Sequence, residues 1–276
     1  MKKFFLFAAA IAAHALFAAP PAEITVDLKL DEISYVSGER IRGVISVLNS
    51  SPDALSVGGS NSTDRLIVEV FRASDYSQLQ RVKEHPFTAA FDLPFNGSRK
   101  FETFLADNYA LVESRRYLAR PVFIHRGYRF EGLYRAFDVV PGMKVASALQ
   151  MFSNRDGLSR EFELLRWSRK GNEHLFLAAK DVEPRERKWL TTDIGPMMRI
   201  TKPTISIMPG GEVIVFHRNG PDSFVRSEFW SLPEALEFRS RTMVLDPETA
   251  GQSRVREIYG EGGEVKPVTH PWWKFG

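Results

Sequence analysis

The run from Ser34 to Asn49 constrains this chain more than any other stretch. Tyr35 to Glu39 reads as a turn, because Gly38 can take φ > 0 without steric cost. Beyond it Ile41, Gly43, Ile45 and Val47 fall on one side, while Arg40, Arg42 and Ser46 fall on the other. A period of two fits a half-buried strand and not a helical stripe. Val44 and Leu48 interrupt the polar side. The preceding run alternates in the same way, with Ile24, Val26, Leu28 and Leu30 against Thr25, Asp27 and Lys29. The two runs predict a strand pair.

Similar runs recur. Arg65 to Arg72 is apolar enough for a strand buried on both faces, Leu79 to Glu84 is a candidate strand, and Phe101 to Leu105 resumes extended structure after the Asn96-Gly97 turn signal. Tyr117 to His125 and Tyr134 to Val140 close the region, and Pro141-Gly142 ends it. About seven short strands separated by turns predict an antiparallel β-sandwich over residues 23–141. Tyr117, at the start of a penultimate strand, is placed for a tyrosine corner, its hydroxyl bonded back to the backbone.

Residues 1–18 read as a signal peptide: Lys2 and Lys3, an apolar core from Phe4 to Phe17, then small residues at Ala18 and Ala19. The apolar core is shorter than the roughly 20 residues that span a bilayer. The expectation is a periplasmic or secreted protein, touching the membrane only through this segment during export. Of the 37 basic residues, Lys2 and Lys3 lie in the leader, which holds no acid, so its removal takes the net charge from +3 to +1. A near-neutral chain offers no electrostatic case for nucleic acid. The absence of cysteine excludes disulfides, thiolate nucleophiles and cysteine metal sites.

Residues 143–247 predict a second antiparallel β domain. It opens on an expected short helix over Lys144 to Phe152. A duplicated hairpin unit follows: Phe162 to Trp167, Gly171, Leu175 to Ala178, Trp189, then Thr204 to Met208, Gly210, Val213 to Phe216, Trp230. The spacing of about 40 residues is that of propeller blades. Two similar hairpin units in one antiparallel domain account for the pattern more simply, and that is the reading preferred. Residues 248–276 read as a C-terminal extension ending in Trp272, Trp273 and Phe275.

Tyr35, Gly38 and Glu39, a strand, and Asn49 together resemble the opening of macroglobulin-type Ig-like domains. Similar openings occur in arrestin-like sandwiches and in some bacterial proteinase-inhibitor domains. The resemblance covers the first 120 or so residues after the leader, and it implies a sandwich used for contact rather than chemistry. The thioester of the macroglobulins requires cysteine, which this chain lacks. The second half is faintly similar to sialidase-type propeller blades, without their Ser/Asp-rich box.

No residue set makes a catalytic constellation. Outside the leader His85, His125, His174, His217 and His270 show no metal-ligand spacing, and no cofactor is expected. Asp181, Glu183, Glu186, Asp193 and Glu228 are candidates for a glycosidase pair, and read more simply as solvated hairpin faces. Trp189 and Trp230 hold equivalent places in the repeat, which favours packing. Trp272 and Trp273 are the candidate partner-binding residues, and catalytic and metal residues are none. The expectation is a non-enzymatic binding or envelope-assembly protein whose partner is an envelope protein or a glycan. The alternatives are a glycan hydrolase or lyase, or a protease inhibitor acting through the loops 50–61 and 92–97.

Overall fold

A computed structural model describes residues 24–58, 64–83, 86–152, 158–182, 189–232 and 235–245. The leader and the extension carrying Trp272 and Trp273 therefore lie outside the described residues. The described chain is all-β, with strands numbered here in chain order and one turn of 3-10 helix at Leu105–Asp107.

The organising strand is β3 (Arg42–Asn49), the middle of a three-stranded antiparallel sheet with β1 (Ile24–Leu30) and β7 (Ser98–Phe104). Leu28 stands opposite Ile45, and Val26 opposite Val47. All four are buried, as the alternation predicts. Gly43 belongs to this face because a Cβ there would meet Leu28 Cδ1 at 3.0 Å. The facing sheet runs β2 (Ser34–Val36), β10 (Arg135–Val140), β8 (Arg115–His125) and β5 (Arg65–Arg72), with β9 (Tyr128–Glu131) hairpinned onto β8. A short ladder of β4 (Leu55–Val57) and β6 (Phe91–Leu93) accompanies them. Side chains of the two main sheets form one core, including Val26, Leu28, Ile45, Val68, Val70, Tyr117 and Phe137.

Tyr117 does make the corner: its hydroxyl donates to the Glu113 carbonyl at 3.1 Å, while the ring stacks on Phe137. Asn49 is fully buried, its amide donating to the carbonyls of Asp53, Leu93 and Pro94. Two expectations need correction. β2 pairs with β10 in parallel, because Asp31 to Ile33 carry the chain from one sheet across to the other without reversing it. No strand forms over 79–83, although Leu79 N–H donates to Val70 O, because Val82 N–H then turns away to Asn108 O; Glu84 lies outside the described residues.

Beyond Pro141-Gly142 come two four-stranded antiparallel meanders. The first is β11 (Met143–Met151), β12 (Ser159–Arg169), β13 (Asn172–Asp181) and β14 (Trp189–Pro196). The second is β15 (Thr204–Ile207), β16 (Glu212–Gly220), β17 (Ser223–Ser231) and β18 (Leu236–Leu245). The duplicated hairpins are β12–β13 and β15–β16, which hold different places in their sheets. Phe162, Leu164, Leu175 and Leu177 of the first sheet share a core with Val213, Val215 and Phe229 of the second. The two sheets thus cover each other's apolar faces.

The expected helix over 144–152 is instead β11. Its Ala, Leu, Gln and Met residues favour helix locally, but the ladder to β12 overrides that preference.

Candidate functional site

The two halves meet where the β2–β3 turn docks on the outer face of the first meander. Val36 and Val140 pack against Leu165, Phe176, Ala178 and Trp167. Thr191 N–H donates to Gly38 O at 2.9 Å, and its hydroxyl donates to Ser37 O at 2.6 Å. Trp167 Nε1 donates to Ser34 Oγ at 3.1 Å. Gly142, at φ +68°, passes so close that a Cβ would lie 3.1 Å from that of Leu165.

Charge is concentrated beside this seam. Leu165, Trp167 and Arg169 follow one another along one face of β12, so the strand that carries the apolar contact ends in a guanidinium. Arg169 Nη2 donates to both oxygens of Glu39 at 2.8 Å, and Nη1 donates to Asp193 Oδ2 at 2.8 Å. The guanidinium lies 4.9 Å from the centre of the Phe176 ring, and the side chains of Arg169 and Glu39 are each only 11% exposed. Asp193 also accepts from Gly195 N–H at 2.8 Å and pairs with His174 Nδ1 at 2.9 Å. Glu39 accepts from Val36 N–H at 2.9 Å, which ties the carboxylate to its own turn. Lys170 and Glu32 form an outer pair at 2.7 Å.

Burial pushes the Glu39 carboxyl above its ordinary range, against the pull of Arg169. Burial also acts on Asp193, but His174, the Gly195 N–H and Arg169 outweigh it and hold the carboxyl low. Desolvation opposes the Arg169 charge, yet Glu39 and Asp193 hold its pKa above normal. Behind Asp193, His217 is 2% exposed and burial pushes it down to about 4. Its Nε2 lies 3.2 Å from Pro196 O. Burial likewise lowers Arg241, with Asp193 opposing.

This arrangement joins two carboxylates from different halves through one cation. It fixes the β2–β3 turn against β12 and β14, with His174 as a further partner of Asp193. The remaining candidates do not assemble around it. His125 pairs with Asp64 at 2.9 Å at the far end of β8. Asp181 is buried with Arg160 at 2.7 Å inside the second core, and Glu228 pairs with Arg226. Asp181 and Asp193 are therefore not solvated hairpin faces: the β12–β14 ladder turns Asp181 onto Arg160 on the inner face and Asp193 onto Arg169 at the junction on the outer one. Trp230 is 41% exposed, with Arg239 stacked 4.4 Å from its ring centre. It lies on the outer face because Ser227 and Phe229 take the inner one, so the packing expectation fails there.

His85, His270, Glu183, Glu186, Trp272, Trp273 and the side chain of Trp189 lie outside the described residues. A cleft of about 530 Å³ runs along β5 past Glu69, Arg81 and Tyr109. Its carboxylate, Glu69, is already held by Arg120 and Arg129. Among the described residues, no three His, Asp or Glu side chains are grouped to hold a metal, and no helix is long and apolar enough to cross a membrane.

No family model matches the chain, and no curated protein matches it. Among solved structures it is similar to Spo0M, a sporulation control protein from Bacillus subtilis. The identity is 11%, over 62% of this chain and 91% of that one, with a TM-score of 0.29.

Proposed function

We propose that this is an exported, non-enzymatic binding or cell-envelope assembly protein that acts through protein or glycan contacts. The observation that carries this reading is the Arg169 bridge from Glu39 to Asp193. A buried ion cluster is a weak source of stability and a better attested means of fixing one arrangement. Two independently acting modules would have no use for it, whereas a contact surface spanning both would. The leader-like residues 1–18 support export to the periplasm or medium. The resemblance of Tyr35, Gly38, Glu39 and Asn49 to macroglobulin-type and arrestin-like sandwiches supports contact over turnover. Trp272 and Trp273 are the proposed partner-binding pair.

The test is titration of the purified chain onto isolated cell-wall glycan and envelope membrane, with Arg169→Met and Trp272→Ala/Trp273→Ala alongside. Saturable binding, weakened at least about fivefold by each variant, is expected; fivefold corresponds to about 1 kcal/mol. Glycan turnover abolished by one side-chain substitution would replace this reading with an enzyme. A stable protease complex lost on changing residues 92–97 would replace it with an inhibitor.

A further inference from the structure

The cleft of about 530 Å³ beside β5 lies apart from the junction and arises where a strand pairing is interrupted. Near the end of β5, Phe71 stands opposite Gln78 and Leu79 N–H donates to Val70 O at 2.8 Å. Beyond that bond the two segments part, and Val82 N–H donates to Asn108 O instead. Within the gap the Tyr109 hydroxyl donates to Val68 O at 2.5 Å. That bond occupies a carbonyl which an added strand would need, so the edge is closed to strand pairing there and opens only as a cleft.

The walls combine apolar groups with uncharged polar ones. Ile67 and Leu79 are half-buried against the first core, whereas Gln78 and Gln80 are exposed and alternate with Leu79 along one segment. A carboxamide offers two donors and an acceptor without a charge. Glu69 adds a carboxylate whose side chain is 8% exposed. Arg129 Nη2 donates to its Oε1 at 2.9 Å, and Arg120 Nε donates to its Oε2 at 3.0 Å. The two guanidinium groups fix its direction and answer its charge, and each oxygen keeps a further lone pair. Glu69 and Arg81 are the charged residues of the lining, one of each sign.

A lining without net charge disfavours a charged ligand, which would lose water and gain no counter-charge. Fixed acceptors and donors beside apolar walls suit hydroxyl groups on a ring whose C–H face is apolar. The volume also falls within the roughly 300–1,000 Å³ of small-ligand sites. We propose that the cleft between β5 and residues 78–81 binds a neutral oligosaccharide, with Glu69, Gln78 and Gln80 holding its hydroxyls and Ile67 and Leu79 lying under a ring face. This deepens the binding reading above, on which it rests for a glycan as partner, and assigns the contact to a site away from Arg169.

Calorimetric titration of the full chain with maltohexaose, cellohexaose and chitohexaose tests it, with hexagalacturonate as the charged comparison. At least one neutral hexasaccharide should bind saturably and more tightly than hexagalacturonate. Gln78→Ala/Gln80→Ala should weaken that binding at least about fivefold, the size expected for losing one or two hydrogen bonds. Both side chains are exposed, so the melting midpoint of the double variant should stay that of the wild type. Hexasaccharide binding undiminished in the double variant would overturn the site and leave the binding reading standing. So would binding to isolated cell-wall glycan with none of the three hexasaccharides bound. Tighter binding of hexagalacturonate, or of the blocked extended peptide acetyl-tetraalanine amide, would assign the cleft to another ligand class and overturn the proposal.

Discussion

His217 shows how one side chain can set an acid limit. It is held neutral in the second core, pushed down to about 4 by burial, against an ordinary value of 6.5. The unfolded chain therefore takes up a proton before the folded one does. Stability is lost as pH falls from 6.5 towards 4 and levels off below, up to about 3 kcal/mol at the full shift. Asp193 adds a separate loss at lower pH, because its depressed carboxyl must be protonated only below the usual aspartate range. Melting midpoints of the wild type should drop between pH 6.5 and 4.5, and His217→Gln should flatten that drop. Identical slopes would mean that the imidazole is not neutral and buried in solution.

At the scale of elements, the register of β3 is the sharpest expectation. Ile45 is fully buried between Leu28 and Phe101. Ile45→Asp should cost at least about 4 kcal/mol and abolish soluble protein, since an unpaired carboxylate would enter the core. Arg42, on the other face, holds Asp31 and Glu102 at 3.0 and 2.6 Å in solvent. Arg42→Ala should cost no more than about 1 kcal/mol. Comparable yields and melting curves for the two variants would place the strand in the wrong register.

How much was legible in the sequence follows the same physics. Alternation in β1 and β3 is a local signal, so those strands and their buried faces could be read directly. β11 could not, because its residues prefer helix and only the ladder to the next strand, β12, makes it extended. The junction was hidden for a related reason. Glu39, Arg169 and Asp193 come from three separate parts of the chain, and each looks like an ordinary surface charge. The one available sign was that Arg169 follows Leu165 and Trp167 on an apolar face. The resemblance around Tyr35 and Gly38 included Glu39, but gave no hint that its carboxylate faces the second half.

For the whole molecule, the question is how firmly Arg169 holds the halves together. Arg169→Met leaves Glu39 and Asp193 buried without their shared cation, a loss of about 3–5 kcal/mol by comparison with other broken buried pairs. Glu39→Gln added to it should restore part of that, because one unpaired charge is removed. Small-angle scattering of Arg169→Met should report a wider spread of shapes while circular dichroism stays β. A double variant no better than the single one, with unchanged scattering, would mean that the apolar seam alone sets the arrangement.

The parallel pairing of β2 with β10 also carries a consequence in time. Residues 34–36 wait for residues 138–140 before their side of the sheet can close. A chain made from its N-terminus must therefore complete almost the whole first half before this edge is covered. Such long-range closure is slow, in the range of milliseconds to seconds for all-β domains. Until then Val36 and the strand beside it stand open to chaperones, proteases and neighbouring chains. The sheet that begins with β2 is thus closed only at β10, about a hundred residues later in the chain.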